Sequence, residues 1–230
     1  MVVAIVPAAG RGRRLRADPP KQFLTLNGFP LITYTLRTLH TVDAIDTILI
    51  VAPKGYESFL YTLCCEHGFA KVCRIVLGGP ERQDSVANAL QTEEISSAEY
   101  VLIHDAVRPL APPELFDRVL SAARHYGAAV PDRLPAGYHQ GNYSRWKRLS
   151  HAPREPLRLI QTPQAFRRHL LQRAYAAAAQ TGLRATDDSA LVEALGHPVY
   201  VVEGVPENVK LTYPHDVVLI EALLAKARAA

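Results

Sequence analysis

Val2-Val3-Ala4-Ile5-Val6-Pro7-Ala8-Ala9-Gly10-Arg11-Gly12-Arg13-Arg14 opens the chain, and Pro20-Lys21-Gln22-Phe23 follows it. The apolar run Val2 to Val6 reads as a buried strand that leads straight into a glycine-spaced turn. Such a turn presents backbone N–H groups able to hold a polyphosphate. Arg14 and Lys21 bring two fixed cations to the same phosphates. The spacing is neither G-x-x-x-x-G-K-[ST] nor G-x-G-x-x-G. It points to nucleotidyl transfer ahead of P-loop hydrolysis or hydride transfer.

Outward from this stretch, short apolar runs alternate with amphipathic ones. Val2–Pro7, 47–52, 72–76, 100–104, 128–130 and 199–202 read as strands. The segments 31–40, 56–67, 84–91, 113–126, 167–180, 187–195 and 215–226 read as helices, with Pro113 in a first turn where its missing N–H does no harm. This order predicts an α/β fold: a Rossmann-like, mostly parallel sheet with helices on both faces, and ligands beyond the carboxyl ends of the strands. One nucleotidyltransferase domain over residues 1–230 is expected, interrupted by an arm at about 131–160. The stretch Pro131–Arg158 breaks the alternation with four prolines, Tyr138, Tyr143, the only tryptophan (Trp146) and six basic against two acidic residues. So long a structureless loop is uncommon in a compact domain, so the stretch reads as an arm, lid or dimerisation element. A disordered surface insertion is the alternative.

At 48% apolar and 21% charged residues the composition is that of an ordinary folded protein, and no apolar run approaches the ~18 residues of a membrane span. The start carries no signal-peptide pattern. Cys64, Cys65 and Cys73 are odd in number and match no zinc spacing, which favours buried or half-buried reduced thiols and a cytoplasmic setting. A net charge of +4 suits small anionic substrates better than nucleic acid, for which no RRM or KH signature is present.

Three further constellations sit at element boundaries. His104-Asp105-Ala106-Val107-Arg108-Pro109 follows a buried strand, which puts Asp105 at the carboxyl edge beside the glycine turn. There a carboxylate can hold Mg²⁺, or it can cap a helix or pair with Arg108; His104 reads as a packed histidine. Gly78-Gly79-Pro80-Glu81-Arg82-Gln83-Asp84-Ser85-Val86 opens a helix, either as a backbone that admits a flat base or as a plain capped turn. Asp187, Asp188 and Ser189 are candidate caps. Lys210, between Val209 and Leu211, reads as a strand-edge lysine that either meets a phosphate or lies on a solvated rim.

Taken in register, A-A-G-x-G-x-R, P-K-Q-F, G-G-x-x-R-x-D-S-V, H-D-A-V-R-P, T-P-Q-x-F, T-D-D-S-A-L and N-x-K-x-T resemble the 2-C-methyl-D-erythritol 4-phosphate cytidylyltransferases of the non-mevalonate isoprenoid pathway, from Val2 to about Leu219. The resemblance implies a CTP-binding set of Ala8, Ala9, Gly10, Gly12, Arg13, Gly79, Asp84 and Ser85. It implies Arg14, Lys21 and Lys210 as active-site cations. Asp105 is implied at the Mg²⁺ ion, and Asp105, Arg108, Arg154 and Thr186 on the acceptor side. It further implies a homodimer in which Arg154 of one arm completes the neighbouring site.

The arm departs from the family pattern. The usual P-V-x-D-T-[ILM]-K is replaced by Val130-Pro131-Asp132-Arg133-Leu134-Pro135-Ala136, without the threonine or the lysine. Either Arg133, Arg154 or another arm residue takes over the acceptor's phosphate, or the acceptor is a different polyol phosphate, with ribitol 5-phosphate the nearest alternative. Two other classes of function are disfavoured. A nucleic-acid-binding protein would rest on the mild basic excess alone, and a nicotinamide-dependent oxidoreductase would need the dinucleotide fingerprint.

Overall fold

The computed structural model describes residues 1–10, 12, 14–15, 18–133, 141–144, 147–151 and 158–229. In chain order the strands are β1 Val2–Pro7, β2 Thr25–Leu26, β3 Phe29–Pro30, β4 Thr47–Ala52, β5 Val72–Leu77, β6 Tyr100–Ile103, β7 Ala128–Arg133, β8 Gly141–Ser144, β9 Lys147–His151, β10 Leu159–Ile160, β11 Gln164–Arg167 and β12 Tyr200–Glu203. The helices are α1 Leu31–Thr41, α2 Glu57–Glu66, α3 Arg82–Ala89, α4 Glu93–Ser96, α5 Pro113–Tyr126, α6 Arg168–Thr181, α7 Asp188–Ala194 and α8 Pro214–Ala229.

The main sheet runs β10-β7-β11-β6-β1-β4-β5, with β12 also paired to β7. Neighbours from β5 through β4 and β1 to β6 are parallel, as is β12 with β7. Strands β10 and β11 run antiparallel to their neighbours. The sheet is therefore mostly parallel with helices on both faces, as the alternation of elements implies.

Period-two side-chain placement divides each central strand between two cores. Val2, Ala4 and Val6 of β1 join Ile48 and Ile50 of β4 and Leu102 of β6, under Ile32 and Leu36 of α1 and Leu115, Phe116 and Val119 of α5. Val3 and Ile5 face the other way with Leu49, Val51, Val101 and Ile103, under Val86 of α3, Leu171 of α6 and Val192 of α7. Helix α5 has Pro113 in its first turn and ends at Gly127, where φ is +87° and the N–H returns to the Ala123 carbonyl at 2.8 Å. Gly127 then leads directly into β7.

A third apolar cluster fixes part of the site. Ile220 and Leu224 of α8 pack on Leu31, Tyr34, Val107 and Leu211. The Leu211 N–H donates to the Val107 carbonyl at 2.9 Å, which brings Lys210 beside the 104–108 turn. Lys210 therefore lies in the irregular segment after β12, not on a strand edge as its apolar neighbours suggested.

Other expectations are corrected as well. Helix α3 begins at Arg82, two residues before the expected start. Strand β11, which is not among the strands expected from sequence, inserts antiparallel between β6 and β7. Among the cysteines only Cys64 is half-buried; Cys65 and Cys73 are exposed. Burial pushes the Cys64 thiol up to about 11, with Cys65 adding to the shift. Within the expected arm, β8 and β9 pair antiparallel with each other, and Arg158 closes on Asp132 at 2.8 Å. Tyr138, Trp146 and Arg154 lie outside the described residues.

Candidate active site

Parallel pairing sets the carboxyl ends of β1, β4, β5 and β6 along one edge. The turn after β1 stays bound to the sheet: the Ala8 N–H donates to the Val51 carbonyl at 2.8 Å, and the Gly78 N–H to that of Ala52 at 2.8 Å. The two turns touch. A Cβ on Gly78 would stand 2.2 Å from the Ala9 Cβ, so the glycine is required by the meeting of the two loops. Buried Gln22 braces the first turn from beneath. Its carboxamide donates to the Ala8 carbonyl and, at 3.3 Å, to that of Gly10. Its only sequence signal was membership of P-K-Q-F.

Gly12 has φ +58°, and a Cβ there would meet Lys21 Cγ at 3.3 Å. The turn thus folds over the lysine stem. Lys21 Nζ donates to the Leu211 carbonyl at 2.7 Å. Burial, reinforced by the nearby Lys210 and Arg14 charges and opposed by Asp105 and Asp216, lowers the Lys21 ammonium to about 8. Arg14 is exposed at the rim, with its guanidinium 5.6 Å from the centroid of the Tyr213 ring. Arg13 falls outside the described residues.

Asp105 is the centre of charge. Its Oδ2 lies 2.8 Å from Lys210 Nζ and 3.4 Å from Arg108 Nε, and its Oδ1 lies 3.4 Å from Arg82 Nε. Burial alone would raise its carboxyl, but Lys210, then Arg82 and Arg108, hold it well below the usual carboxylate range. The Asp105 N–H donates to Thr162 Oγ1 at 3.0 Å, and that hydroxyl also meets His104 Nδ1 at 3.0 Å. His104 is a packed histidine, edge-on to Phe116, and burial lowers it to about 4. Arg108 Nη1 is tied to the Asn208 carbonyl at 2.8 Å.

Asp105 is the carboxylate lining the second cluster of cations, and Mg²⁺ is commonly bound by one or two carboxylates together with substrate phosphates. Both of its oxygens face cations here, so an ion held as expected would take the place of Lys210, the most exposed of the three. The sequence alternative, a pair with Arg108, is present as one of three.

Ser85 and Asp84 are brought to the recess with their side chains engaged locally. The Ser85 hydroxyl donates to the Glu81 carbonyl at 3.0 Å and accepts the Gly79 N–H at 3.1 Å. Asp84 accepts the Glu81 N–H at 3.2 Å and pairs with Arg184 at 2.5 Å. Both shape the turn that carries Gly79. Asp187 is the α7 cap and accepts the Ala190 N–H at 3.0 Å, whereas Asp188 leaves that role to pair with Arg82 Nη2 at 2.7 Å. Thr186 is exposed in the turn before α7.

Two adjoining recesses result. One, of about 220 Å³, is walled by Ala9, Gly10, Gly79, Pro80, Glu81, Arg82 and Ser85. The other, of about 110 Å³, is walled by Ala8, Lys21, Arg82, Asp105, Val107 and Lys210, among others. Arg82 borders both, although sequence reasoning assigned it no role. A larger groove of about 690 Å³ lies between α2 and the outer strand β5. It is far less suited to phosphates: of the basic side chains it borders only Arg74, which Glu94 holds at 2.7 Å.

A small recess between two backbone turns at a strand edge thus adjoins a second recess of cations around one carboxylate. The family model described as 2-C-methyl-D-erythritol 4-phosphate cytidylyltransferase matches residues 2–226. The chain belongs to the 2-C-methyl-D-erythritol 4-phosphate cytidylyltransferase family. A cytidylyltransferase of that name from Syntrophus aciditrophicus is 41% identical over 98% of this chain and 96% of its own length. One from Geobacillus kaustophilus is 40% identical over 98% of both chains. The crystal structure of the Thermus thermophilus cytidylyltransferase superposes with a TM-score of 0.80 at 39% identity, covering 96% of this chain and 98% of that one. A 4-diphosphocytidyl-2C-methyl-D-erythritol synthase structure from Anaerococcus prevotii gives 0.85 at 29% identity, covering 97% and 96%. Among the described residues of this cytidylyltransferase, no helix is long and apolar enough to cross a membrane.

Proposed function

We propose that the two recesses carry out cytidylyl transfer from CTP to 2-C-methyl-D-erythritol 4-phosphate, releasing pyrophosphate and 4-diphosphocytidyl-2-C-methyl-D-erythritol. The observation that carries this reading is the shared wall at Arg82 between a glycine-turn recess and a cationic recess. CTP occupies the first, its phosphates on the backbone of Ala8, Ala9, Gly10 and Gly12, and its base and ribose by Gly79, Asp84 and Ser85; Arg13 joins this set by the family resemblance alone. The acceptor occupies the second, beside Asp105 and its partner Arg108, with Thr186 assigned to the acceptor side by the family resemblance alone.

A phosphate monoester has its second pKa at roughly 6, so near neutrality the acceptor oxygen is already a nucleophile. No general base is needed, and buried neutral His104 offers none. The acceptor oxygen attacks the α-phosphorus in line with the departing pyrophosphate. Catalysis comes from holding the two in line and from cations set against the charge that grows on the α-phosphoryl oxygens. Lys21, fixed by the Leu211 carbonyl, and Arg14 at the rim supply it on the CTP side. Lys210 is the exchangeable cation. Its side chain is 34% exposed against 10% for Arg108, and it exchanges Asp105 for the acceptor phosphate. Asp105, released by Lys210, would be the residue to hold a divalent ion arriving with CTP, and such an ion would neutralise charge on the phosphates.

The same reading takes residues 1–230 as one nucleotidyltransferase domain with an arm at about 131–160, acting as a cytoplasmic homodimer in which Arg154 reaches the neighbouring site. Arg133, standing where the family pattern has threonine, donates to the Pro206 carbonyl at 3.4 Å on the segment leading to Lys210, which favours it as the replacement. The test is thermal stabilisation by CTP with Mg²⁺, followed by mass analysis of the product formed with methylerythritol phosphate. A cytidine diphosphate ester is expected. CTP stabilisation without such a product would remove the assigned acceptor.

A further inference from the structure

We infer that Asp188 and Tyr175 are positioning residues that hold the Arg82 guanidinium at the junction of the two recesses, where the α-phosphoryl group passes from donor to acceptor. The inference rests on the reading of the two recesses above and adds residues to it.

The chain of contacts is continuous, with Asp188 and Tyr175 buried and the Arg82 side chain 26% exposed. Asp188 sits at the start of α7 and is 1% exposed. One of its oxygens, Oδ2, forms an ion pair with Arg82 Nη2 at 2.7 Å; the other, Oδ1, accepts the Tyr175 hydroxyl from α6. Arg82 Nε then points to Asp105 Oδ1 at 3.4 Å. A guanidinium withdrawn this far from solvent needs compensating charge. Here Asp188 supplies it from behind and Asp105 from the front, and together they hold the Arg82 charge against burial, which alone would weaken it. Burial first, then Asp188, pushes the Tyr175 hydroxyl above its ordinary range, so it remains a fixed donor. With Oδ1 committed to Tyr175, Oδ2 is left for the Arg82 ion pair, which holds that end of the guanidinium in place.

The arrangement makes electrostatic sense for transfer. Lys21, Arg82, Arg108 and Lys210 bring four positive charges and Asp105 and Asp188 two negative ones, leaving an excess for incoming phosphates. Lys210 is half-exposed and free to change partners. Arg82 is not, because Asp188 anchors it from the side away from the recess. A cation that must face developing charge without reorganising is best fixed in this way.

The experiment is a double-mutant cycle in the full-length protein, read as pyrophosphate release with CTP and methylerythritol phosphate. Arg82→Ala is expected to lower kcat by roughly 10²–10³, the cost of one preorganised donor. Asp188→Asn should lower kcat by roughly 10–100-fold, by analogy with outer partners that orient metal ligands. Combining the two should cost no more than Arg82→Ala alone, because Asp188 acts only through Arg82. Asp188→Glu should restore part of the loss. Tyr175→Phe leaves the ion pair in place and should give a smaller loss, also absent in the Arg82→Ala background; it serves if Asp188→Asn does not fold. Additive losses, or a lowered melting temperature with kcat unchanged, overturn the inference. An inactive wild-type protein would instead overturn the functional reading.

Discussion

Lys210 Nζ stands 2.8 Å from Asp105 Oδ2, closer to that carboxylate than either Arg82 or Arg108, each at 3.4 Å. The cation nearest Asp105 is also the one with most access to solvent, whereas Arg108 is tied to the Asn208 carbonyl. Lys210→Gln is therefore expected to lower kcat/KM for the acceptor by roughly 10²–10³ with little change in melting temperature. Steady-state kinetics with the acceptor varied, beside a thermal melt, checks it. A loss confined to KM for CTP would move Lys210 to the other recess.

Lys21 gives both a mutational and a pH prediction. Lys21→Ala should cost about 2.7–4 kcal/mol in the transition state. Lys21→Arg should also be poor, since a planar fork does not replace a point charge under the Gly12 turn. With its ammonium lowered to about 8, Lys21 loses its charge in the free enzyme as pH rises through 8, so kcat/KM for CTP should fall tenfold per pH unit above it. The falling limb should vanish in Lys21→Arg, at a lower plateau. The stability sign is opposite: between 8 and 10.5 the unfolded chain holds the proton that the folded one has released, so Lys21 destabilises the fold below pH 8 and this burden lifts as pH rises.

His104 predicts acid sensitivity. Its folded value of about 4 lies below the ordinary 6.5, so the folded state binds fewer protons in that interval and stability falls as pH drops from 6.5 to 4. The full effect is about 3 kcal/mol. Urea melts across this range should show the slope in the wild type and a flatter one in His104→Asn. Asp105, held low by its three cations, adds a separate loss below the usual carboxylate range.

Contact between the two turns predicts a rescue. Gly78→Ala puts a methyl 2.2 Å from the Ala9 Cβ, which only a backbone shift relieves, so Kd for CTP should rise at least about tenfold. Adding Ala9→Gly removes the obstructing atom and should recover part of the affinity. Isothermal titration with CTP measures both variants.

The sequence signals that succeeded were local. Strands β1 and β4 and helix α5 have the bounds that their apolar runs, prolines and glycine stops imply. The glycine turn, Lys21 and Asp105 meet because parallel strands end on one edge. What stayed hidden depends on contacts across long stretches of chain. Asp188 looked like a cap because its neighbour Asp187 is one, and nothing local shows that it reaches Arg82. Strand β11 was masked by Pro163 in the turn leading into it and by the long excursion that precedes it. Lys210 was misplaced because its apolar neighbours mimic a strand, although Leu211 is apolar for α8 packing. Around Asp105 only Arg108 was legible locally, because the other two cations come from α3 and the segment after β12.

The adjoining recesses join CTP to a polyol phosphate, and the altered arm bears on which polyol phosphate that is. Pyrophosphate release should be measured with CTP and, side by side, methylerythritol phosphate or ribitol 5-phosphate at equal concentrations. CTP-dependent turnover is predicted with methylerythritol phosphate, and far less with ribitol 5-phosphate. Turnover with ribitol 5-phosphate alone, or with neither acceptor, would contradict the account.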